Sequence, residues 1–271
     1  MTTIGQEDIS SVKIKFPHPK EQTKIATFLT AVDKRIKLLK KKKDKLEQYK
    51  KGVMQKLFSV ETHDRTSLRF KDKNGNDFPD WKEKKLGEIA TVKGGKRIPK
   101  GYTLKNKNNG FPYITVSDMG NNTVSLSEIR YIPFEVVDKI KNYKITKKDI
   151  FISVAGTLGV VGIVPVELDN ANLTENANKL TDLKCNQNFL LQLLNTNRLT
   201  NQIKSVTTIG AQPKLAIYAI NNFKFLIPNS LPEQQKIADF LSVIDKSIEK
   251  VGGLIKKSQE WKKGLLQKMF V

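Results

Sequence analysis

The sequence predicts an α+β protein: one mostly β domain with a few helices, flanked by two long helices that are copies of each other. Three observations predict it. Residues 20–58 and 232–270 align without a gap, and both carry apolar residues in a helical 4-3 rhythm. Between them the pattern changes to short apolar runs separated by Gly, Asn and Pro, the mark of strands and turns.

The repeat comes first because it organises the rest. Glu21, Gln22, Lys24, Ile25, Ala26, Phe28, Leu29, Asp33, Lys34 and Ile36 recur, 212 residues on, as Glu233, Gln234, Lys236, Ile237, Ala238, Phe240, Leu241, Asp245, Lys246 and Ile248. The ends recur as well, KKGVMQKLF as KKGLLQKMF, with Tyr49 answered by Trp261. In the first copy Ile25, Leu29, Val32, Ile36 and Leu39 make a stripe that continues through Leu46, Val53 and Leu57, interrupted by Lys43 and Lys50. In the second, Ile237, Leu241, Ile244, Ile248 and Val251 keep the same phase and continue through Ile255, Leu265 and Met269, interrupted by Ser258 and Lys262. A 3.5-residue period makes a narrow seam that another helix must cover, and the other copy is the nearest candidate. At ~1.5 Å per residue each helix runs roughly 55–60 Å, long enough to act as a ruler.

The segments follow from this. Residues 20–58 and 231–271 are the long helices, the polar stretch 59–67 is a linker, and residues 68–230 form the intervening domain. Its runs GEIATVKGG, GFPYITVSDMGNN, SEIRYIP, DIFISVAGTLGVVGIVP and FKFLIP read as an antiparallel or mixed β domain. Residues 187–206 read as one helix and 134–143 as a shorter one. Upstream, Ile9, Val12 and Ile14 match Ile220, Phe223 and Phe225, so residues 1–19 read as the terminal strand of another domain.

Charge narrows the function. Lys and Arg number 48 against 27 Asp and Glu, a net charge of +21. The first helix carries 13 basic and 4 acidic residues, and the second 8 and 5. Such a field attracts polyanions, and both the first helix and the domain could follow a phosphate backbone. The single cysteine, Cys185, excludes a disulfide framework or a Cys-rich zinc site. The absence of a signal peptide and of any run near ~18 apolar residues predicts a soluble, cytoplasmic protein with no membrane contact.

Catalytic groups do not converge in the sequence. His18 sits between two prolines, and His63 lies in the polar linker. VAGTLGVVG (154–162) has glycines three apart, which is not dinucleotide-loop spacing, and reads as strand-turn-strand. Asp80, Glu83 and Lys85 have the letters of a metal-dependent nuclease but sit too close together for its strand placement.

The domain does carry contact chemistry for DNA. Lys93, Lys96, Arg97, Lys100, Lys105 and Lys107 cluster around Tyr102 in a glycine-containing stretch, where cations neutralise phosphates and Arg97 suits a guanine edge. Ser117, Asp118, Asn121 and Asn122 close a strand, where Asp accepts from cytosine and Asn brackets adenine. Gln212 and Lys214 add a further loop.

This arrangement resembles the specificity subunit of type I restriction–modification enzymes. The resemblance rests on LPEQQKIADFLSVIDKSIE (231–249), its copy KEQTKIATFLTAVDKRIK (20–37) and the two closing motifs. FPDWKEKKLGEIATVKGGKRIP (78–99) resembles the start of that family's target recognition domain, and YITVSDM, SVAGTLG and IGAQPKL resemble its later parts. The resemblance implies that residues 68–230 read one half of a split double-stranded DNA site. It implies that the long helices pack as an antiparallel coiled coil, fix the half-site spacing and dock modification (methyltransferase) subunits. S-adenosylmethionine would belong to those subunits, and ATP and Mg2+ to a restriction (motor-nuclease) subunit. The chain itself would bind no cofactor or metal and catalyse nothing. A full subunit runs domain, helix, domain, helix, so this chain reads as a truncated or half-sized form. It could dimerise with itself, await a complementary half, or be a defective remnant. A stand-alone coiled-coil DNA-binding regulator is the rival reading, and a nuclease a third.

Overall fold

The computed structural model describes Gly5, Glu7, Ser10, Ser11 and residues 16–58, 68–120, 122–207 and 213–269. The terminal strand read within residues 1–19 falls largely outside them, and the linker 59–67 wholly so. In chain order the elements are α1 (Pro19–Leu57), β1 (Lys82–Lys85), α2 (Leu86–Ile89), β2 (Thr91–Gly94), β3 (Pro112–Ile114), β4 (Met119–Gly120), β5 (Thr123–Val124), β6 (Arg130–Tyr131) and α3 (Phe134–Ile140). There follow β7 (Lys144–Ile145), β8 (Ile150–Ser153), β9 (Val161–Ile163), β10 (Ala171–Leu173), β11 (Ala177–Thr181), α4 (Gln187–Leu194), α5 (Asn197–Val206), α6 (Ile217–Asn222), β12 (Lys224–Ile227) and α7 (Leu231–Met269). The chain divides into two compact units, Met1–Tyr49 with Ile244–Val271, and Lys50–Val243.

The first unit is helical. Both long helices span 39 residues, with Glu21 and Glu233 in their first turns and Lys56 and Lys268 in their last, as the helix dipole favours. Between Lys24 and Lys51, Ile25, Leu29, Val32, Ile36, Leu39, Lys43, Leu46 and Lys50 are buried or half-buried and every other residue is exposed. The seam is therefore as narrow as its period demands. Within this unit Asp33 accepts a bond from the Lys262 ammonium, and the Phe28 and Trp261 rings meet edge to face at 5.9 Å.

The second unit is the β domain. One four-stranded antiparallel sheet runs β2-β11-β8-β9, and a mixed one runs β6-β3-β10-β7 with β3 and β10 parallel. Adjacent residues of β3 face opposite ways. Ile114 joins Ile145, Phe151, Leu173 and Ala177 in one core, while Tyr113 joins Ile132, Val136 and Ile140 in another. Each fully buried large side chain contributes roughly 1.5–3 kcal/mol. The 154–162 stretch is the β8-β9 hairpin turn, with Gly156 and Gly159 at φ of 74° and 78° that favour glycine.

Two sequence expectations are corrected here. Residues 187–206 are two helices, because the Asn195 and Thr196 side chains bond back to the Leu191 and Leu193 carbonyls and close the first. Ile237 and Leu241, read as helix-pairing residues, belong to the β-domain unit and are 1% and 0% exposed there.

That burial comes from a latch at the start of α7. Glu233, fully buried, accepts from Arg69 Nε and Trp81 Nε1, each at 3.0 Å, through the same oxygen. Gln234 accepts from the Asn186 backbone N–H at 2.8 Å and donates to the Pro228 carbonyl at 2.8 Å. Phe58, Trp81 and Phe189 form a triangle of rings 6.0–6.2 Å apart, and Phe70 meets Phe240 at 5.6 Å. The copy of this latch on α1 has the same internal bond, Gln22 Nε2 to the Pro17 carbonyl at 2.8 Å, yet Glu21 and Gln22 are exposed.

Glu233→Ala removes the acceptor of Arg69 and Trp81 and is expected to cost about 2–4 kcal/mol in urea unfolding. Glu21→Ala, at the matching exposed position, is expected to stay within about 0.5 kcal/mol. Equal effects at the two positions would contradict the latch.

Candidate nucleic-acid interface

The cation cluster sits on a loop pinned by its backbone. β2 pairs with β11, and beyond it Gly95 donates to Ala177 at 3.1 Å and Lys96 to the Leu173 carbonyl at 2.8 Å. A Cβ on Gly95 would lie 2.0 Å from the Thr174 carbonyl oxygen, so only glycine passes there. The Tyr113 hydroxyl donates to the Lys96 carbonyl at 2.8 Å. Further on, Lys105 and Tyr131 exchange both backbone bonds at 2.8 Å. Ile98, Leu104 and Phe111 pack beneath the loop against the Tyr113 core.

This leaves the cations outside. Lys93, Lys96, Arg97, Lys100, Lys105 and Lys107 are all exposed. Lys96 leans its ammonium over the Tyr143 ring at 5.7 Å, and Lys93 lies 3.8 Å from Asp182. Arg97 is ion-paired through Nε to Glu175, itself braced by Thr174 Oγ1 at 3.0 Å. The pair uses Nε, and the Arg97 side chain is 78% exposed, which leaves the terminal amino groups for a planar acceptor. Burial alone would raise the Glu175 carboxyl, but the Arg97 bond and neighbouring donors outweigh it and hold the group below its ordinary value.

The remaining candidates divide. Ser117 is exposed, its hydroxyl 2.8 Å from that of Thr115. Lys214 is exposed, beside Leu215, whose N–H bonds the Val154 carbonyl at 2.9 Å. Asp118 does not fit a base-reading role: it is 7% exposed, and one carboxylate oxygen takes both the Thr115 N–H and hydroxyl, at 2.8 and 2.7 Å. Tyr102 is half-buried in the Tyr113 core, with the Lys139 ammonium 4.7 Å above its ring. Asn121 and Gln212 lie outside the described residues, and Asn122 is held at a φ of 64° with its carbonyl accepting from Ile163. Sequence reasoning missed Glu175, 78 residues from its partner.

The groups considered for catalysis are otherwise engaged. The Glu83 carboxylate is taken up by Arg198 and Lys224 at 3.2 and 3.1 Å, and the exposed Asp80 carboxylate lies 3.9 Å from the Arg69 guanidinium. Burial pushes the Cys185 thiol up to about 11, keeping it protonated. Among the described residues no group of three or more His, Cys, Asp or Glu could hold a metal, and no helix is long and apolar enough to cross a membrane.

A family model described as the type I restriction modification DNA specificity domain matches residues 1–48 and 79–257. The chain belongs to this family. It is similar to the type I restriction enzyme MjaVIII specificity subunit of Methanocaldococcus jannaschii, 24% identical over 252 residues. That match covers 91% of this chain and 58% of the relative. Among solved structures, a chain from the structural basis of complex assembly and conformational transition of the type I R-M system superposes with a TM-score of 0.64 at 18% identity, covering 98% of this chain and 63% of that one. The type I restriction-modification S subunit from M. genitalium gives 0.62 at 20%, covering 99% and 66%. These likenesses establish the α+β fold of specificity subunits. The chain spans 58–66% of the length of these relatives.

The loop's anchor has a signed pH dependence. Glu175 titrates lower folded than its ordinary 4.5, so its contribution is complete above that value and lost as pH falls through the lower folded one. A carboxyl titration by NMR, with amide exchange at residues 95–98, is expected to show this order. Titration at or above 4.5 would mean Arg97 is not its partner.

Proposed function

We propose that this specificity-family chain reads one half of a split DNA site and scaffolds a type I restriction–modification complex, without catalysing a reaction. The observation that carries the proposal is the loop over Lys93–Lys107, which holds six exposed cations on a backbone bonded to the sheets at Gly95, Lys96 and Lys105. Fixed donors lose little entropy on binding, so positioned cations bind phosphate better than the same charges on a free tail. In this reading Lys93, Lys96, Lys100, Lys105 and Lys107 take phosphates. Arg97, with its terminal amino groups free, reads a guanine edge, and Ser117, Asn121, Gln212 and Lys214 border the contact.

The long helices then serve as scaffold. The Asp33–Lys262 and Phe28–Trp261 contacts and the narrow seam of α1 support an antiparallel coiled coil with Ile25, Leu29, Val32, Ile36 and Leu39 on one side and Ile244, Ile248 and Val251 on the other. The exposed Glu21–Gln22 latch would seat a second recognition domain from a complementary half-subunit, as Glu233–Gln234 seats this one. Modification subunits carrying S-adenosylmethionine, and a restriction subunit using ATP and Mg2+, complete the complex in a cytoplasmic setting.

The test is assembly with a type I modification subunit, followed by duplex binding across a salt series and methylation mapping. The parent chain should confer methylation at a discrete site. Lys96→Ala with Arg97→Ala should flatten the slope of log affinity against log salt by about 0.9, for the one phosphate Lys96 no longer neutralises, and relax specificity at the base Arg97 reads. An unchanged slope removes this loop from the interface, and DNA binding with no partner assembly would favour a stand-alone regulator.

A further inference from the structure

Ser153 holds the β8-β9 turn from inside. It is fully buried, and its hydroxyl donates to the Thr157 carbonyl and accepts from the Val160 N–H at 2.8 Å. Its own carbonyl accepts from the Gly159 N–H at 3.0 Å. On the other flank the Val154 and Ala155 N–H groups both reach the Asn176 carbonyl, at 2.8 and 3.3 Å. At the tip itself the N–H groups of Gly156, Thr157 and Leu158 have no partner among the described residues, and neither does the Thr157 hydroxyl.

This is the chemistry of an anion seat. Gly156 and Thr157 are exposed, and a Cβ placed on Gly156 would meet nothing within 4 Å, so the tip is open to a ligand. Gly156 has a φ of 74°. Successive N–H groups in a turn of this kind form a concavity that attracts anions. Ser153 also occupies the Thr157 carbonyl, the sort of group that would repel one.

The place of the turn on its sheet names the anion. β11 runs antiparallel to both β2 and β8, with Asn178 opposite Gly94 and Ala177 opposite Ser153. The chain leaving β2 towards Lys96 and Arg97 and the chain leaving β8 towards Gly156 therefore depart from the same end of the sheet. Their strands stand two spacings apart, roughly 9–10 Å. Leu215 bonds the Val154 carbonyl at 2.9 Å, which brings the segment carrying the exposed Lys214 to this end as well. Glu175, which lies just before β11 here, is already engaged by Arg97 and Thr174. A polyanion drawn in by these cations reaches the turn with no free carboxylate of Glu175 to oppose it.

We propose that the backbone N–H groups of Gly156, Thr157 and Leu158, with the Thr157 hydroxyl, seat one backbone phosphate of the DNA duplex that the Lys96–Arg97 loop contacts. This rests on the DNA reading proposed above and adds an uncharged contact to it. Counterions are released where a cation neutralises a phosphate, so a seat of neutral donors adds affinity and register while leaving the salt slope nearly unchanged.

The full chain, assembled with its modification subunit on a duplex carrying the mapped methylation site, tests this across a salt series. Gly156→Val puts a β-branched residue at a positive φ and should weaken binding by about tenfold or more with an unchanged slope. Gly156→Asn, which accepts that φ, should stay within about twofold of the parent. Thr157→Glu sets a carboxylate against the phosphate without touching Gly156, so it should weaken binding by about tenfold or more even where the valine variant does not fold. Parent affinity in Thr157→Glu overturns the seat, and a flattened slope in the Lys96→Ala, Arg97→Ala chain then keeps the DNA reading standing. No duplex binding by the parent assembly overturns that reading, and the seat with it.

Discussion

A narrow apolar seam cannot be left in water, and that constraint governs both long helices. A globular surface covers a broad helix face, so a stripe one residue wide needs a rod with the same repeat. Along α1 the burial pattern keeps this period from Ile25 to Lys50. Each helix nevertheless has a second task, because Val53 and Leu57 of α1, and Ile237 and Leu241 of α7, are buried within the β-domain unit. One periodic stripe therefore serves two kinds of packing, and its sequence does not mark where one gives way to the other.

The β domain solves a different problem, that of holding like charges close together. Lysines in a free loop would move apart, whereas here the chain is fixed between them. Gly95 lets the backbone press against the Thr174 carbonyl, and the Tyr113 hydroxyl and Leu173 carbonyl hold Lys96 from two sides. Glu175 then offsets one charge of the cluster without occupying the terminal amino groups of Arg97. A carboxylate placed to orient a cation is compatible with a phosphate surface in a way that a carboxylate quenching it would not be.

What the sequence made legible was what is written locally. The 3.5-residue rhythm, the hairpin over residues 150–163 and the exposure of the loop lysines each depend on neighbours a few positions away. The Arg97–Glu175 pair joins residues 78 apart and leaves no trace in either segment. Asp118 looked like a base reader because of its type and position, but a Thr three residues earlier had already claimed its carboxylate. The 187–206 helix was read through because Asn195 and Thr196 are tolerated inside helices. Only their bonds back to the Leu191 and Leu193 carbonyls reveal a terminus.

The repeat carries the last step, because its two copies are compared under different loads. Glu21–Gln22 and Glu233–Gln234 keep the same letters and the same glutamine-to-carbonyl bond, though only the second pair is covered. A polar pair preformed in this way is costly to bury without its partners and costs little to leave in water. The ends of the helix are therefore suited to a seat that exists whether or not it is filled. The middles are free of that demand, and there the copies have gone separate ways, lysines in one and glycines in the other.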